Sequence, residues 1–312
     1  MRNFVSLLTL HLALCTVLSA QWLEATIPVG DGPWALVYNS TDNKVYCTNL
    51  YDSNVSVIDK YNEVIATVPA GGSPRALVYN PTNNKVYCAN GGSHTVTVIN
   101  GRTDSVIRTI TVGALPNALC YNPTNNKVYC ANEGRSVTVI DGATDSVIKT
   151  IVFPIQSIPC AFVYNPLNNK VYCADETRSS VIVIDGATDS VITTIPVGLR
   201  PRVLAYNFLD NKVYCANTYS NNVMAIDGES DTIIATIPVG SRPTAFAYNF
   251  TNNKVYCVNT NGNTVTVIDG ATDSVIKTIT VGEHPWGLIY NSLNNKVYCS
   301  NDASNTVTVI DG

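Results

Sequence analysis

The sequence predicts an all-β chain, a seven-bladed β-propeller of four-stranded antiparallel blades, and three observations carry that expectation. Lys-Val-Tyr-Cys occurs seven times, ending at Cys47, Cys88, Cys130, Cys173, Cys215, Cys257 and Cys299, at intervals of 41 to 43 residues; this is the period of a repeat architecture. Each repeat divides into four short segments rich in Val, Ile, Thr and Tyr, separated by turn-formers and without a helical period. The ends are complementary: Val307–Gly312 closes on a third segment, whereas Trp22–Gly30 aligns with the fourth segment Ser274–Gly282.

Taken in order, residues 1–20 carry a basic start (Met1-Arg2-Asn3), an apolar run from Phe4 to Leu18 and a small-residue end at Ser19-Ala20. That pattern predicts a signal peptide cleaved before Gln21 and hence a secreted, periplasmic or cell-surface protein. The run is shorter than the roughly 20 apolar residues of a membrane span, and no later stretch is apolar for as long. Leu14 stands where a small residue precedes a lipidated cysteine, which argues against lipidation at Cys15. Residues 21–312 form the propeller, a size that all-β folds reach as one unit.

The repeat around Cys130 shows the elements. Ala118–Asn122, Lys127–Asn132, Val137–Asp141 and Ser146–Val152 read as strands one to four. Asn-Pro-Thr-Asn-Asn supplies a proline that fixes φ and asparagines that accept left-handed backbone, and Asp-Gly-Ala-Thr-Asp does the same for the next hairpin. Asp141 and Asp145 are read as turn formers, because an EF-type calcium loop needs more oxygen ligands at fixed spacing. Fourth strands end near proline, as at Pro28, Pro196 and Pro238, which places them at the outer edge of each sheet. A linear solenoid would need distinct polar caps. Instead, the N-terminal strand is expected to complete the last blade and close the ring as a monomer.

The whole chain has a formal charge of −4, one unit more negative without Arg2, so bulk attraction to nucleic acid or anionic membrane is not expected. Of ten cysteines, seven share one place in successive blades. Equivalent positions in stacked sheets lie about 10 Å apart, whereas a disulfide needs Cα atoms within about 7 Å. Free, buried thiols are expected, with a local Cys120–Cys130 bridge as the alternative. No Cys-x-x-Cys or Cys/His cluster suggests a metal, and no cofactor is expected.

Tyr46-Cys47-Thr48-Asn49 resembles the YVTN-family β-propeller repeat, with Cys in place of Val. The other copies drift to Tyr-Cys-Ala-Asn at Tyr87, Tyr129 and Tyr214, and to Tyr-Cys-Val-Asn at Tyr256. Val265–Asp269 and Thr278–Gly282 are also similar to that family, and the likeness extends over residues 22–312. It implies exported or cell-surface propellers of bacteria and archaea, including surface-layer proteins, and a relation to lactonase-like and haem d1-type propellers. None of those enzymes' catalytic motifs is matched, and the Trp-Asp and Gly-His signatures of WD40 repeats are absent.

Strand order places the loops joining strands one to two and three to four on one nearly uniform side. Those joining two to three, and blade to blade, lie on a side that differs between repeats, which makes it the candidate binding face. One residue follows each recurring blade-start proline: Trp34, Arg75, Asn117, Cys160, Arg202, Thr244 and Trp286. Arg200, Arg242 and His284 stand two places earlier. In a closed ring, Arg200, Arg202, Arg242, His284, Trp286, Trp34 and Arg75 form an arc suited to an acidic or aromatic ligand. An envelope protein, an anionic glycan and a single-stranded nucleic acid segment are the partners that arc suggests. The competing reading leaves the arginines solvated and the tryptophans plugging the contact between blades seven and one. The sequence lacks Gly-x-Ser-x-Gly, His-Glu-x-x-His and a phosphate loop, so a non-catalytic binding module is expected. A surface-layer-type scaffold is the alternative and a lactonase-like hydrolase the third reading. Asn39, Asn54 and Asn249 begin Asn-x-Ser/Thr sequons.

Overall fold

The computed structural model describes residues 25–312. It contains seven antiparallel sheets in chain order, six of four strands and the last of three. Blade one comprises Pro33–Asn39, Lys44–Asn49, Asn54–Ile58 and Val64–Pro69. Blades two to six start at Pro74, Pro116, Pro159, Pro201 and Pro243. Blade seven comprises Pro285–Asn291, Lys296–Asn301 and Thr306–Asp311.

The hairpins form for the reason the turn residues suggest. Asn126 and Asp145 both adopt left-handed backbone, with φ of 51° and 57°, where Asn and Asp are the side chains tolerated best. Asp141 Oδ1 accepts hydrogen bonds from the Ala143 and Thr144 amides at 3.0 and 2.7 Å. These aspartates are therefore turn-forming residues.

Alternation along strand two sends Tyr to one face and Cys to the other. Tyr87, Val96, Val98 and Ile110 of blade two pack against Val128, Cys130 and Ile140 of blade three. The same set recurs at all six seams from blade one to blade seven. Each fully buried large apolar side chain is worth about 1.5–3 kcal/mol relative to exposure, so these seams dominate the stability of the stack. All nine cysteines among the described residues are free. Cys120 faces Tyr129 across the ladder, and Cys130 faces Leu119, so the Cys120–Cys130 alternative is not realised.

A second system of polar latches ties neighbouring blades. At five seams, the Lys that opens strand two bonds the Asp of the next blade's strand three to four loop at 2.7–2.9 Å. The pairs are Lys44–Asp104, Lys85–Asp145, Lys127–Asp189, Lys170–Asp231 and Lys212–Asp273. The Tyr two residues on donates its hydroxyl to the other carboxylate oxygen of the same Asp at 2.6 Å. Deeper in, the Asn ending strand one donates to an Asn side chain of the following blade at 2.8–3.0 Å, at six seams. Two sequon asparagines, Asn39 and Asn249, belong to this ladder and are fully buried.

Blades seven and one are the exception. No shared apolar cluster joins them among the described residues, and the residues that would face one another remain exposed. These are Ile289, Val307 and Val309 on one side and Leu36 and Tyr38 on the other. Ala25–Val29 carries no strand, so blade seven has three strands here. The rest of the expected closing strand, Trp22–Glu24, and the expected signal peptide lie outside the described residues.

The loop side expected to be uniform also departs from that expectation. In blades four to seven at least one residue of Pro-Thr gives way to a larger apolar one, exposing Leu167, Phe208, Leu209, Phe250 and Leu293. Phe208 packs edge-on against Tyr248 and beside Phe250, which in turn meets Tyr290 edge-on.

Candidate functional site

The residues following each blade-start proline lie where the chain enters strand one, and in every blade but the fourth the residue two places earlier is left-handed. Arg200, Arg242 and His284 have φ of 53°, 59° and 52°. The structure brings His284, Trp286 and Trp34 together. They line one cleft of about 910 Å³ at the loop end of the seam between blades seven and one, with Ser300, Asn301, Asp302, Asn305, Thr306, Val307 and Pro33. His284 stacks on Trp286 with ring centroids 6.0 Å apart and planes 19° from parallel. Its Nδ1 lies 3.5 Å from Asp302 Oδ2. Trp34 is 64% exposed and Trp286 50%, which leaves indole surface available for stacking.

The arginines of the expected arc do not join that cleft as free cations. Arg200 and Arg202 both bond Glu176 Oε1, at 2.9 and 2.7 Å, and the Arg200 guanidinium lies 4.6 Å from the centroid of the Tyr219 ring. The hydrogen bond to Glu176 holds the Arg202 guanidinium pKa above its ordinary value, against the opposing effect of burial. Arg75 bonds Glu133 Oε1 at 3.0 Å. Arg242 is the exception: among the described residues it has no salt bridge, and its buried Nε has no hydrogen-bond partner.

The remaining residues in the set have structural roles. Asn117 bonds Glu133 at 3.5 Å, and Thr244 shares a hydrogen bond with Thr260. Cys160 donates towards the Ala174 and Pro201 carbonyls, and burial pushes its thiol pKa up to about 12. Sequence reasoning missed the acidic partners Glu133, Glu176 and Asp302. All three follow strand two in loops already marked as variable, so pairing charges between the two loop classes of one face would have revealed them.

The cleft offers two indole faces, an imidazole beside a carboxylate, and amide and hydroxyl groups. This inventory suits a ring-bearing, hydrogen-bonding ligand. Among the described residues, no group of three or more His, Cys, Asp or Glu is placed to share a metal ion.

Similarity to solved structures fixes the architecture. The chain is similar to hydrazine synthase of Kuenenia stuttgartiensis, with 18% identity, a TM-score of 0.73, and coverage of 94% of this chain and 99% of that one. The fold is a β-propeller. The propeller domain of Cps50 (Swd1) from Myceliophteria thermophila is similar at 12% identity and TM-score 0.71, covering 93% and 98% of the two chains. The computationally designed Ika8 protein is similar at 18% identity and TM-score 0.76, covering 89% and 82%. No family model and no curated protein matches the chain. At these identities the likeness concerns the fold alone.

Proposed function

We propose that this propeller is an exported, non-catalytic binding module of the cell envelope that engages its ligand at the cleft between blades seven and one. The observation that carries this reading is the convergence of Trp34, Trp286 and His284 on one cleft, with Asp302 supplying an acceptor. With Arg75, Arg200 and Arg202 already paired to glutamates, the aromatic half of the sequence expectation is favoured over the anionic half. A sugar ring or an aromatic side chain fits better than a polyphosphate or nucleic acid backbone. The apolar first segment of the sequence supports export. No helix among the described residues is long and apolar enough to cross a membrane.

The test is titration of the mature protein with envelope glycan fragments and aromatic peptides, read by tryptophan fluorescence. Trp286→Ala is expected to weaken binding at least about tenfold, a loss of about 1.4 kcal/mol. Equal affinity in parent and variant would overturn the site.

The closing strand belongs to the same proposal: Trp22–Val29 pairs with Thr306–Asp311 as the fourth strand of blade seven. The exposed apolar residues Val307 and Val309 support it, because the equivalent Val265 and Val267 are buried. A surface-scaffold role is the second reading, favoured by the repeated latches, which suit a durable stack.

A further inference from the structure

Three arginines stand on the variable face at the starts of blades five and six, with one glutamate beside them. Arg200 and Arg202 flank Pro201, Arg242 precedes Pro243, and Glu176 follows strand two of blade four. The loop after strand two of blade five ties the two starts together. The Thr218 amide donates to Arg200 O at 2.9 Å and its Oγ1 to Pro243 O at 3.0 Å, while Asn221 Oδ1 accepts from the Arg242 amide at 2.9 Å.

Glu176 orients this group without neutralising it. Its Oε1 accepts from both Arg200 Nη1 and Arg202 Nη2, so one carboxylate oxygen serves two guanidiniums. The Glu176 side chain is 13% exposed, against 41% for Arg200 and 38% for Arg202, so the carboxylate lies beneath guanidiniums that face solvent. The Nε–H groups of Arg202 and Arg242 are both buried and, among the described residues, without an acceptor; a buried donor left in that state is costly. Three guanidiniums against one carboxylate leave two positive charges in excess, and Asp175 and Arg178, on either side of Glu176, cancel each other.

We propose that this arginine group binds a compact, doubly charged oxyanion of the phosphate-monoester class, with Arg202 and Arg242 as donors and Glu176 as the positioning residue that fixes Arg202. Guanidinium N–H groups match phosphate oxygens in geometry. A phosphate monoester carries about −1.5 to −2 charges at neutral pH, which matches the local excess. No residue of the tryptophan cleft takes part, so failure here leaves the reading of that cleft standing.

The test uses the full chain and methyl phosphate at about pH 7.5, in about 0.15 M salt, which screens surface attraction beyond about 8 Å. The arginine Nε–H signals are followed by NMR. Saturable shifts of the Arg202 and Arg242 signals are expected, and singly charged acetate should bind at least about tenfold more weakly. Arg242→Gln, which breaks no ion pair among the described residues, should weaken methyl phosphate binding at least about tenfold, and Arg202→Gln likewise; the first variant carries the test alone should the second fail to fold. Arg108→Gln, which removes the same charge from the outer strand of blade two, should leave binding unchanged. Absence of saturable shifts in the parent overturns the proposal, as does equal affinity for acetate, retained affinity in Arg242→Gln, or an equal loss in Arg108→Gln.

Discussion

Removing one latch lysine separates the contribution of the polar seam from that of ordinary surface charge. Lys127 donates to Asp189 Oδ2 at 2.8 Å and to two carbonyls of the same turn, and the Lys127 and Asp189 side chains are only 12% and 5% exposed. Lys127→Met keeps the aliphatic stem and removes the charge. Asp189 then retains the Tyr129 hydroxyl at 2.6 Å but loses its counter-ion. Breaking a buried pair by removing one partner costs about 3–5 kcal/mol. The comparison is Lys296→Met, whose pair with Asp311 is 3.6 Å long with side chains 40% and 89% exposed; such a surface pair is worth about 0–1 kcal/mol. Urea unfolding followed by circular dichroism should place the Lys127→Met midpoint well below that of Lys296→Met. A Lys127→Met, Asp189→Asn cycle should show coupling of the two sites. Equal midpoints for the two lysine variants would refute the view that the latches, in addition to apolar burial, hold the blades together.

Further measurements follow from the same geometry. The carboxyls of Asp141, Asp185, Asp227 and Asp269 are held below their ordinary pKa, chiefly by hydrogen bonds from turn backbone amides. Their contribution to stability is present above the unfolded value of about 4 and is lost as pH falls through the lower folded values. The urea midpoint should therefore decline between pH 4 and pH 2; a midpoint that holds or rises there would refute the assignment. Burial pushes the Cys120 thiol pKa up to about 12 and Cys299 up to about 11, so the native protein should react slowly with a thiol reagent at pH 8 and rapidly once denatured, whereas fast native labelling would contradict the burial. In a glycosylating host, Asn39 and Asn249 should remain unmodified, because their side-chain amides donate within the buried ladder; mass spectrometry showing a glycan on either would overturn that placement.

The fold was legible because one local grammar is repeated. Alternating Val, Tyr and Ile, with Asn and Asp at the left-handed positions, specifies each hairpin, and repetition specifies the neighbour. The latches were less visible. Lys127 and Asp189 are 62 residues apart, and only the stacking of one blade on the next shows that Lys-x-Tyr and the last Asp of Asp-Gly-Ala-Thr-Asp form a single unit. The candidate site was legible in part. The tryptophans and His284 are legible by position, but the pairing of Arg75, Arg200 and Arg202 is not, because their glutamate partners lie on a different loop class. Blades seven and one resisted prediction for a related reason. The expected closing strand has no adjacent hairpin to fix its partner, and its described part, Ala25–Val29, carries no strand.

That last seam also decides between the two readings of the tryptophans. Asn62, with φ of 67°, holds the left-handed place in the blade-one loop where Asp104 and its counterparts stand, and that loop is one residue shorter. Blade one therefore offers no counterpart of the latch aspartate to Lys296 and Tyr298. If Trp34 is a plug, Trp34→Ala removes a buried ring and costs about 3–5 kcal/mol. If it is a ligand platform, as its 64% exposure implies, the cost stays within about 0.5 kcal/mol and the loss falls on binding. Denaturant unfolding and ligand titration of the same variant separate the two, and the exposed geometry predicts an unchanged midpoint with weakened binding. An unfolding free energy lowered by about 3–5 kcal/mol would make Trp34 a structural seal and move the search for the ligand away from this cleft.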